Sequence, residues 1–332
     1  DNAISADDLE RKLEKVVFKK NGEELKIEGV SFNLQSHRFY PENNMAAGLV
    51  GFVSSIDEEI KGRYGLEEFF NDELSGKAGY LKGERGVSNT IIVNNREYTK
   101  PEAGSDLVLT MDRGAQFQAC AALDESIKIH RAEGGSVIAV NAKTGALLAM
   151  CSVPNFNPNN YQEVKDLKDY NNPALLYQYE PGSVFKVITM AAAINQGKVS
   201  PSTTYKDEGQ IMINGWPKPI SNSDFSTKGA HGIVDMNSVL ENSLNTGAIF
   251  AMRQIGPKVF ADYVKKFGFG EKTGVELGSE SAGNVDNLFK NRVREIDAAT
   301  ASFGQGLAVT PLQMVMSYQA LANQGVLMKP YI

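Results

Sequence analysis

Two apolar runs joined by a short turn constrain the fold of this 332-residue chain more than any other feature. Residues 135–153 read GSVIAVNAKTGALLAMCSV, and residues 142–145 supply the turn between the two halves. Because Lys143 is the only charged residue of the stretch, the pattern predicts a central β-hairpin that is buried on both faces. Helical patterns flank the hairpin without a βαβ alternation, which favours an α+β core.

Helical spacing of apolar residues recurs through the last two thirds of the chain. Residues 116–132 fit a helix ahead of the hairpin, and residues 181–196 fit one that ends at Gly197, a residue type common after helix C-termini. Five further helical stretches follow: 232–241, 247–255, 257–267, 294–303 and 311–323. The pattern therefore predicts a largely helical second domain.

The first 105 residues have a different character and predict a separate, mixed and extended domain. Asn94 and Asn95 lie between two β-type runs and are typical of a hairpin turn. Residues 101–106 (PEAGSD) fit a linker, so we predict domains at 1–105 and 106–332. Four other patterns precede the linker: a charged helix at 7–15, strands at 26–39 and 46–53, and an amphipathic helix at 65–74.

Composition excludes several functional classes. The chain carries 34 basic and 40 acidic residues, a formal net charge of −6, and its lysines and arginines are scattered. A mildly acidic chain without a basic patch gives no reason to expect nucleic-acid binding or attraction to anionic lipid. No run of eighteen apolar residues and no signal-peptide pattern occurs in the sequence.

The cysteines and histidines do not suggest a metal centre. Cys120 and Cys151 have no metal-ligand spacing with each other or with His37, His130 and His231. We interpret the cysteines as two buried thiols packed as small apolar groups, and a disulfide between them stays open. Their spacing therefore predicts no metal centre.

The segment EPGSVFK carries the sharpest chemical signal. Ser183 and Lys186 lie three residues apart at the start of a predicted helix, so their side chains share one face. A serine hydroxyl needs a base, and a lysine amine becomes one when burial or positive potential lowers its pKa. The positive end of the helix also favours an alkoxide. The alternative is an ordinary serine N-cap followed by a lysine.

Ser243 and Asn245 form a second candidate pair, sixty residues after Ser183, in the turn-like sequence NSLNTG. A hydroxyl there could pass a proton between Lys186 and a leaving amine, and an amide could hold a peptide backbone. The alternative is turn chemistry between two helices, for which Ser and Asn are common.

Together, SxxK followed by SxN resembles the signature of penicillin-recognising serine acyltransferases. The likeness extends to most of the chain from about His37, and it is closest to class B penicillin-binding proteins. Glu180-Pro181-Gly182 ahead of the serine is more similar to the division-type subgroup. The stretches that carry the resemblance are YEPGSVFK, GGSVIAVNAKTGALLAMCSVPNFNPNNY, LTMDRGAQFQ, ASFGQGLAVTPLQMVMSYQALANQG, HRFYPEN and GLEEFFNDELSGKAGYLKGE.

The resemblance implies an α+β penicillin-binding transpeptidase domain, preceded by a pedestal domain. It implies that Ser183 is acylated by D-Ala-D-Ala stem peptides and by β-lactam antibiotics. Lys186 and Ser243 would move the proton, Asn245 would orient the substrate, and no metal or organic cofactor would be needed. It also implies an extracytoplasmic location at the bacterial cell membrane, an N-terminal anchoring helix absent from this chain, and membrane-embedded cell-wall polymerase and division proteins as partners.

One departure from the family pattern concerns its third motif, Lys-Ser/Thr-Gly, which we expect beyond Ile332. The two KTG strings in the sequence, at residues 143–145 and 272–274, fit turns rather than this motif. The transpeptidase domain is therefore predicted to be C-terminally incomplete, and a C-terminal fragment is a possible partner. A D,D-carboxypeptidase or other hydrolase of the same superfamily, and a non-catalytic cell-division scaffold, are the alternatives.

Overall fold

The structure is a computed structural model that describes residues 17–20, 23–26, 37–56, 59–85, 91–290 and 293–332. It divides into two compact units, residues 1–39 and 40–332. In the first unit, β1 (Val17–Lys20) and β2 (Glu23–Lys26) form an antiparallel pair. The predicted helix at 7–15 lies outside the described residues, as does most of the predicted strand at 26–39. The predicted domain boundary at 105 and 106 stays a prediction.

The second unit combines short antiparallel hairpins with many helices, which confirms the predicted α+β class. Its strands are β3 (Phe52–Ile56), β4 (Glu59–Arg63), β5 (Tyr80–Arg85), β6 (Ile91–Thr99), β7 (Gly135–Val140), β8 (Leu147–Val153), β9 (Thr204–Asp207), β10 (Gln210–Ile211), β11 (Ile220–Ser221) and β12 (Gly232–Asp235). They pair as β3–β4, β5–β6, β7–β8, β9–β12 and β10–β11.

The described residues of the second unit also form a series of helices, several of which contact the β7–β8 hairpin. They are α1 (Ala47–Val50), α2 (Gly65–Phe69), α3 (Asn71–Ser75), α4 (Arg113–His130), α5 (Pro173–Leu176), α6 (Lys186–Asn195), α7 (Phe225–Lys228), α8 (Met236–Glu241), α9 (Asn245–Ile255), α10 (Pro257–Lys266), α11 (Glu295–Ala301) and α12 (Pro311–Ala322). Four 3-10 turns also occur among the described residues of this unit: Pro158–Glu163, Leu167–Tyr170, Gly182–Phe185 and Asp286–Leu288.

The central hairpin forms as predicted, with α4 packed against β8. Gln116 of α4 is buried and uses its side-chain amide to pair with the backbone of Met150, donating to its carbonyl at 2.9 Å and accepting from its N–H at 2.8 Å. The burial prediction was wrong for β7, whose residues are all only half-buried.

The largest apolar cluster lies among α6, α9, α10 and α11. Phe185, Ile249 and Phe260 are fully buried there, and the rings of Phe185 and Phe269 lie 5.1 Å apart. Burying each such side chain contributes roughly 1.5–3 kcal/mol. This core fixes the position of the 3-10 turn Gly182–Phe185, which enters α6 directly.

Three local predictions differ from the structure. Residues 46–53 form helix α1 and then β3, because Gly51 between them adopts a φ of +79° that ends the helix. Asn94 and Asn95 lie inside β6 rather than in a turn, since the ladder pairs Arg85 with Ile91 and sets the connection earlier. Residues 232–235 form β12, and helix α8 begins only after it.

The expectation of two free thiols was wrong: Cys120 and Cys151 form a disulfide. Packing of α4 on β8 brings their Cα atoms to 5.4 Å, which is within the range that a disulfide spans. This proximity depends on how the two elements pack, so the separation of the cysteines in sequence did not reveal it.

Within the described residues, no helix is both long and apolar enough to cross a bilayer. The same residues contain no cluster of His, Cys, Asp or Glu side chains suited to a metal ion.

Candidate active site

Ser183 lies in the 3-10 turn that leads into α6, and its side chain is exposed. No side-chain cap hydrogen bond is present at the start of either the turn or the helix. The Lys186 N–H donates to the Ser183 carbonyl, which places the two residues one helical turn apart. The hydroxyl of Ser183 is therefore not an N-cap, and it faces solvent at the positive end of a buried helix.

The backbone around Ser183 is held by contacts from residues 304–309. The Gly182 N–H donates to the Gly304 carbonyl at 2.9 Å, and both glycines have positive φ. A Cβ on Gly304 would lie 2.1 Å from the Gly182 carbonyl oxygen, so only glycine fits there. Glu180 accepts from the Gly306 N–H at 2.8 Å. Residues distant in sequence thus fix the approach to Ser183.

Lys186 is buried, with 2 % of its surface exposed, although it carries an amine. Its Nζ donates to the hydroxyl of Ser243 at 2.9 Å and to the carbonyl of the same residue. Burial lowers the pKa of Lys186 to about 8, and the Asp224 carboxylate partly opposes that effect. At pH 7 roughly one amine in ten is then neutral, against about one in three thousand for an ordinary lysine.

Ser243 lies in the turn between α8 and α9 with a φ of +54°. The Leu244 N–H donates to the Val239 carbonyl and the Ser243 N–H to the Leu240 carbonyl, which defines a Schellman motif. Glycine is the usual residue at this left-handed position, and another L-residue costs about 1–2 kcal/mol there. A serine in place of glycine suggests that its side chain serves a purpose other than folding.

Asn245 is the first residue of α9, and its Nδ2 donates to the Ser221 carbonyl at 2.8 Å. The side chain is half-buried, and the bond to β11 fixes its amide plane. Within the described residues, the second N–H of the Asn245 amide and its oxygen form no further hydrogen bond and can serve other partners.

The structure therefore brings Lys186 and Ser243 into direct contact, with Ser183 one turn away and Asn245 two residues beyond Ser243. In the described part of the chain, the hydrogen bonds of Lys186 go to Ser243 rather than to Ser183. Both KTG strings lie outside this arrangement, as predicted: the first in the β7–β8 turn, and the second in a loop whose Thr273 bonds Glu280.

Sequence reasoning missed a group of polar side chains next to Asn245, at the start of α9. Asp207, Asn222 and Thr246 are buried and joined by hydrogen bonds. Asp224 and His231 lie in the same region, with His231 Nε2 and Asp224 Oδ2 3.0 Å apart. These residues lie in a short strand, in loops and at the start of α9, and no motif spacing joins them.

Comparison with known proteins agrees with this arrangement. Residues 135–332 match the Penicillin binding protein transpeptidase domain family, and residues 4–109 match the Penicillin-binding Protein dimerisation domain family. Stage V sporulation protein D of Bacillus subtilis is 35 % identical over 311 residues, which cover 93 % of this chain and 46 % of that protein. The chain spans about half the length of the curated relatives that it matches.

Solved structures give the same result. Penicillin binding protein 3 of Mycobacterium tuberculosis, complexed with aztreonam, has a TM-score of 0.75 and 32 % identity over 90 % of this chain and 61 % of that one. Penicillin Binding Protein 2X of Streptococcus thermophilus has a TM-score of 0.76 and 27 % identity, covering 88 % and 43 %. The chain with its dimerisation and transpeptidase regions therefore belongs to the penicillin-binding protein family.

Proposed function

We propose that this chain carries the acylation centre of a peptidoglycan D,D-transpeptidase that is trapped covalently by β-lactams. The observation that carries the proposal is the buried Lys186 amine, with a pKa of about 8, bonded to Ser243 one turn from an exposed serine at a helix start. Membership in the penicillin-binding protein family, and relatives named peptidoglycan D,D-transpeptidase, support the same reaction.

In the proposed reaction, Ser183 Oγ attacks the carbonyl carbon between the last two D-alanines of a stem peptide. Neutral Lys186 accepts the hydroxyl proton as the new C–O bond forms. Ser243, bonded to Lys186, passes a proton to the leaving amine as the C–N bond breaks. D-Ala departs, and an amine of a neighbouring stem peptide then displaces Ser183 to form the cross-link.

Two further roles complete the proposal. The Asn245 amide, whose orientation is set by Ser221, holds the substrate backbone through its remaining hydrogen-bonding groups. The Ser183 N–H is one donor to the oxyanion. A second donor would come from a Lys-Ser/Thr-Gly strand outside these 332 residues, contributed either by a longer natural chain or by a separate C-terminal fragment. Loss of one such donor typically costs about a hundredfold in rate.

The cellular setting follows from the same family. We place the protein at the extracytoplasmic face of the bacterial membrane, anchored by an N-terminal helix outside this chain. Stem peptides and β-lactams are its proposed ligands, and a membrane-embedded cell-wall polymerase and division proteins its proposed partners. One relative bears the name of a sporulation protein, others those of FtsI and MrdA, so the division role stays a prediction.

The test is covalent labelling by a fluorescent penicillin, read on a denaturing gel. The natural protein that contains these residues should give a labelled band, and its Ser183→Ala variant should give none. An unlabelled natural protein would contradict the proposal and favour a scaffold.

A second measurement separates transfer from hydrolysis. The protein is supplied with a stem peptide that ends in D-Ala-D-Ala and bears a free acceptor amine, so that the same peptide acylates Ser183 with release of D-Ala and supplies the attacking amine, and the products are identified by mass. A cross-linked dimer supports the transpeptidase. A product shortened by one D-Ala, with no dimer at saturating acceptor, supports a D,D-carboxypeptidase instead.

A further inference from the structure

Asp207, at the end of β9, is a buried carboxylate with 1 % of its surface exposed. Among the described residues, no Lys, Arg or His side chain forms an ion pair with it. Burial works against its charge, but hydrogen bonds from Thr246, the His231 and Gly209 backbone and Asn222 outweigh that effect and hold its pKa below the usual value. A buried charge is costly to keep, so a carboxylate at this position calls for an explanation.

The partners of Asp207 connect it to the start of α9. Thr246 Oγ1 donates to Asp207 Oδ1 at 2.5 Å. Asn222 Nδ2 donates to the two carboxylate oxygens at 3.0 and 3.2 Å, and this fixes which way the Asn222 amide faces. The Asn222 oxygen then accepts from the Thr246 N–H at 3.1 Å. Asp207 thus orients Asn222, and both residues hold Thr246.

Helix α9 lacks a side-chain cap of its own, because the residue before it is Leu244. The Asn222 oxygen takes the place of a cap by satisfying one of the first helical N–H groups. The neighbouring Ser221 carbonyl accepts from Asn245 at 2.8 Å. The loop that Asp207 orients therefore contacts Asn245 and Thr246 together.

Thr246 lies three residues after Ser243, whose left-handed turn presents both its carbonyl and its hydroxyl to Lys186. Leu244 anchors the turn from one side in the apolar core. The network of Asp207, Asn222 and Thr246 anchors it from the other side. Loosening that network would let Ser243 leave Lys186 at little cost, since the left-handed conformation is itself unfavourable.

We propose that Asp207 is a positioning residue for acylation, which acts through Asn222 and Thr246 to hold Ser243 against Lys186 and Asn245 toward the substrate. The inference rests on the proposed acylation of Ser183. It adds a residue that touches neither substrate nor nucleophile and that lies 36 positions before Ser243 in the sequence.

The test compares Asp207→Asn with Glu280→Gln in the natural protein. Glu280 is a matched control, because it is also a buried carboxylate that accepts from a threonine hydroxyl and backbone N–H groups, here of Thr273 and Gly274. Both variants should lower the melting temperature. Only Asp207→Asn should slow penicillin acylation, by tenfold or more, when both are measured well below their melting temperatures.

A second pair keeps the test decisive if Asp207→Asn does not fold. Thr246→Val keeps the shape of the side chain and removes the hydroxyl that donates to Asp207, whereas Thr246→Ser retains that hydroxyl. Slow acylation in Thr246→Val with rescue in Thr246→Ser supports the inference.

Three results distinguish a failure of the proposed function from a failure of this inference. If the unmodified protein does not label, the proposed function fails. If the unmodified protein labels, and Asp207→Asn and Thr246→Val label as fast as it does, the inference alone fails. Equal slowing in Asp207→Asn and Glu280→Gln assigns the effect to general loosening and also overturns the inference.

Discussion

The turns that present Ser183 and Ser243 are built in different ways. The Ser183 turn is held mainly by backbone contacts, above all between Gly182 and Gly304, and it enters a helix that is mostly buried over its first eight residues. The Ser243 turn ends a six-residue helix, and side chains from β9 and the loop after β11 hold the next helix in place. A nucleophile can thus be positioned by close backbone packing, while its proton-transfer partner depends on a polar side-chain network.

The largest effect should follow from breaking the backbone contact at the Ser183 turn. Gly304→Ala would place a Cβ 2.1 Å from the Gly182 carbonyl oxygen at a φ of +82°. We expect at least about 3 kcal/mol lower stability and loss of penicillin labelling. Gly197→Ala is the control, because its φ is +64° and an added Cβ would meet no atom of the described residues within 4 Å, its chain neighbours aside.

The control should lose only about 1 kcal/mol and should label normally. Urea denaturation and labelling kinetics measure both variants. If Gly304→Ala behaves like Gly197→Ala, the Ser183 turn does not depend on this close contact.

Lys186 joins the two turns, and its buried amine should make stability depend on pH. Its folded pKa of about 8 lies below the unfolded value of 10.5, so the unfolded chain binds more protons between these values. Stability from this residue therefore rises with pH across that window. Between pH 7 and pH 10, the free energy of unfolding of the wild type should therefore rise by about 1–3 kcal/mol relative to that of Lys186→Met.

Urea denaturation at several pH values measures this difference. Lys143→Met, in the exposed hairpin turn, is the control and should show no such gain. A stability difference that stays flat with pH would show that Lys186 is charged in the fold at all these values.

The Ser243 turn should become more stable and less active when its strain is removed. Ser243→Gly relieves a φ of +54° and should raise stability by about 1 kcal/mol, while acylation falls at least tenfold. Gln324→Gly relieves a similar φ of +58° at an exposed site outside the candidate centre. It should raise stability without slowing acylation.

Chemical denaturation and labelling rates measured on the same preparations test this trade-off. A Ser243→Gly variant that labels at the wild-type rate would remove Ser243 from the proposed proton path.

The smallest effect should come from the charge near Lys186. Asp224 opposes the effect of burial on this lysine, so Asp224→Asn should lower the pKa of Lys186 further. The midpoint of acylation against pH should move to lower pH by less than about one unit. Asp235→Asn, which weakens the cap of α8, is the control and should leave the midpoint in place.

The measurement is the labelling rate from pH 6 to pH 10. If the midpoint moves to higher pH in Asp224→Asn, or moves equally in both variants, then the Asp224 charge does not raise the pKa of Lys186.

The comparison of the two turns also explains what could be predicted from sequence. Ser183 and Lys186 are three residues apart, so local helix geometry predicted that they lie one turn apart, as the structure shows. Ser243 and Asn245 were singled out in a turn-like sequence and connected to Lys186 through a family signature, and the roles of all four residues stay predictions. The signature indicated the family, whereas the apolar pattern located the central hairpin and indicated the α+β class.

Contacts that depend on tertiary packing could not be predicted in this way. Asp207 and Thr246 are 39 residues apart, and each has the composition of an ordinary strand end or helix start. Asn94 and Asn95 have strong turn preferences, but they lie within β6, in the stretch where its pairing with β5 shifts register. Local propensity is a weak guide where long-range pairing sets the register.

The bond between Cys120 and Cys151 also acts on the chain before it folds. It closes a loop of 31 residues that contains β7 and the following turn. Restricting the denatured ensemble in this way contributes about 3–4 kcal/mol by chain-entropy reasoning. Protein made in a reducing compartment would therefore reach the same fold with a smaller margin against unfolding, so oxidation state belongs among the conditions fixed when its variants are compared.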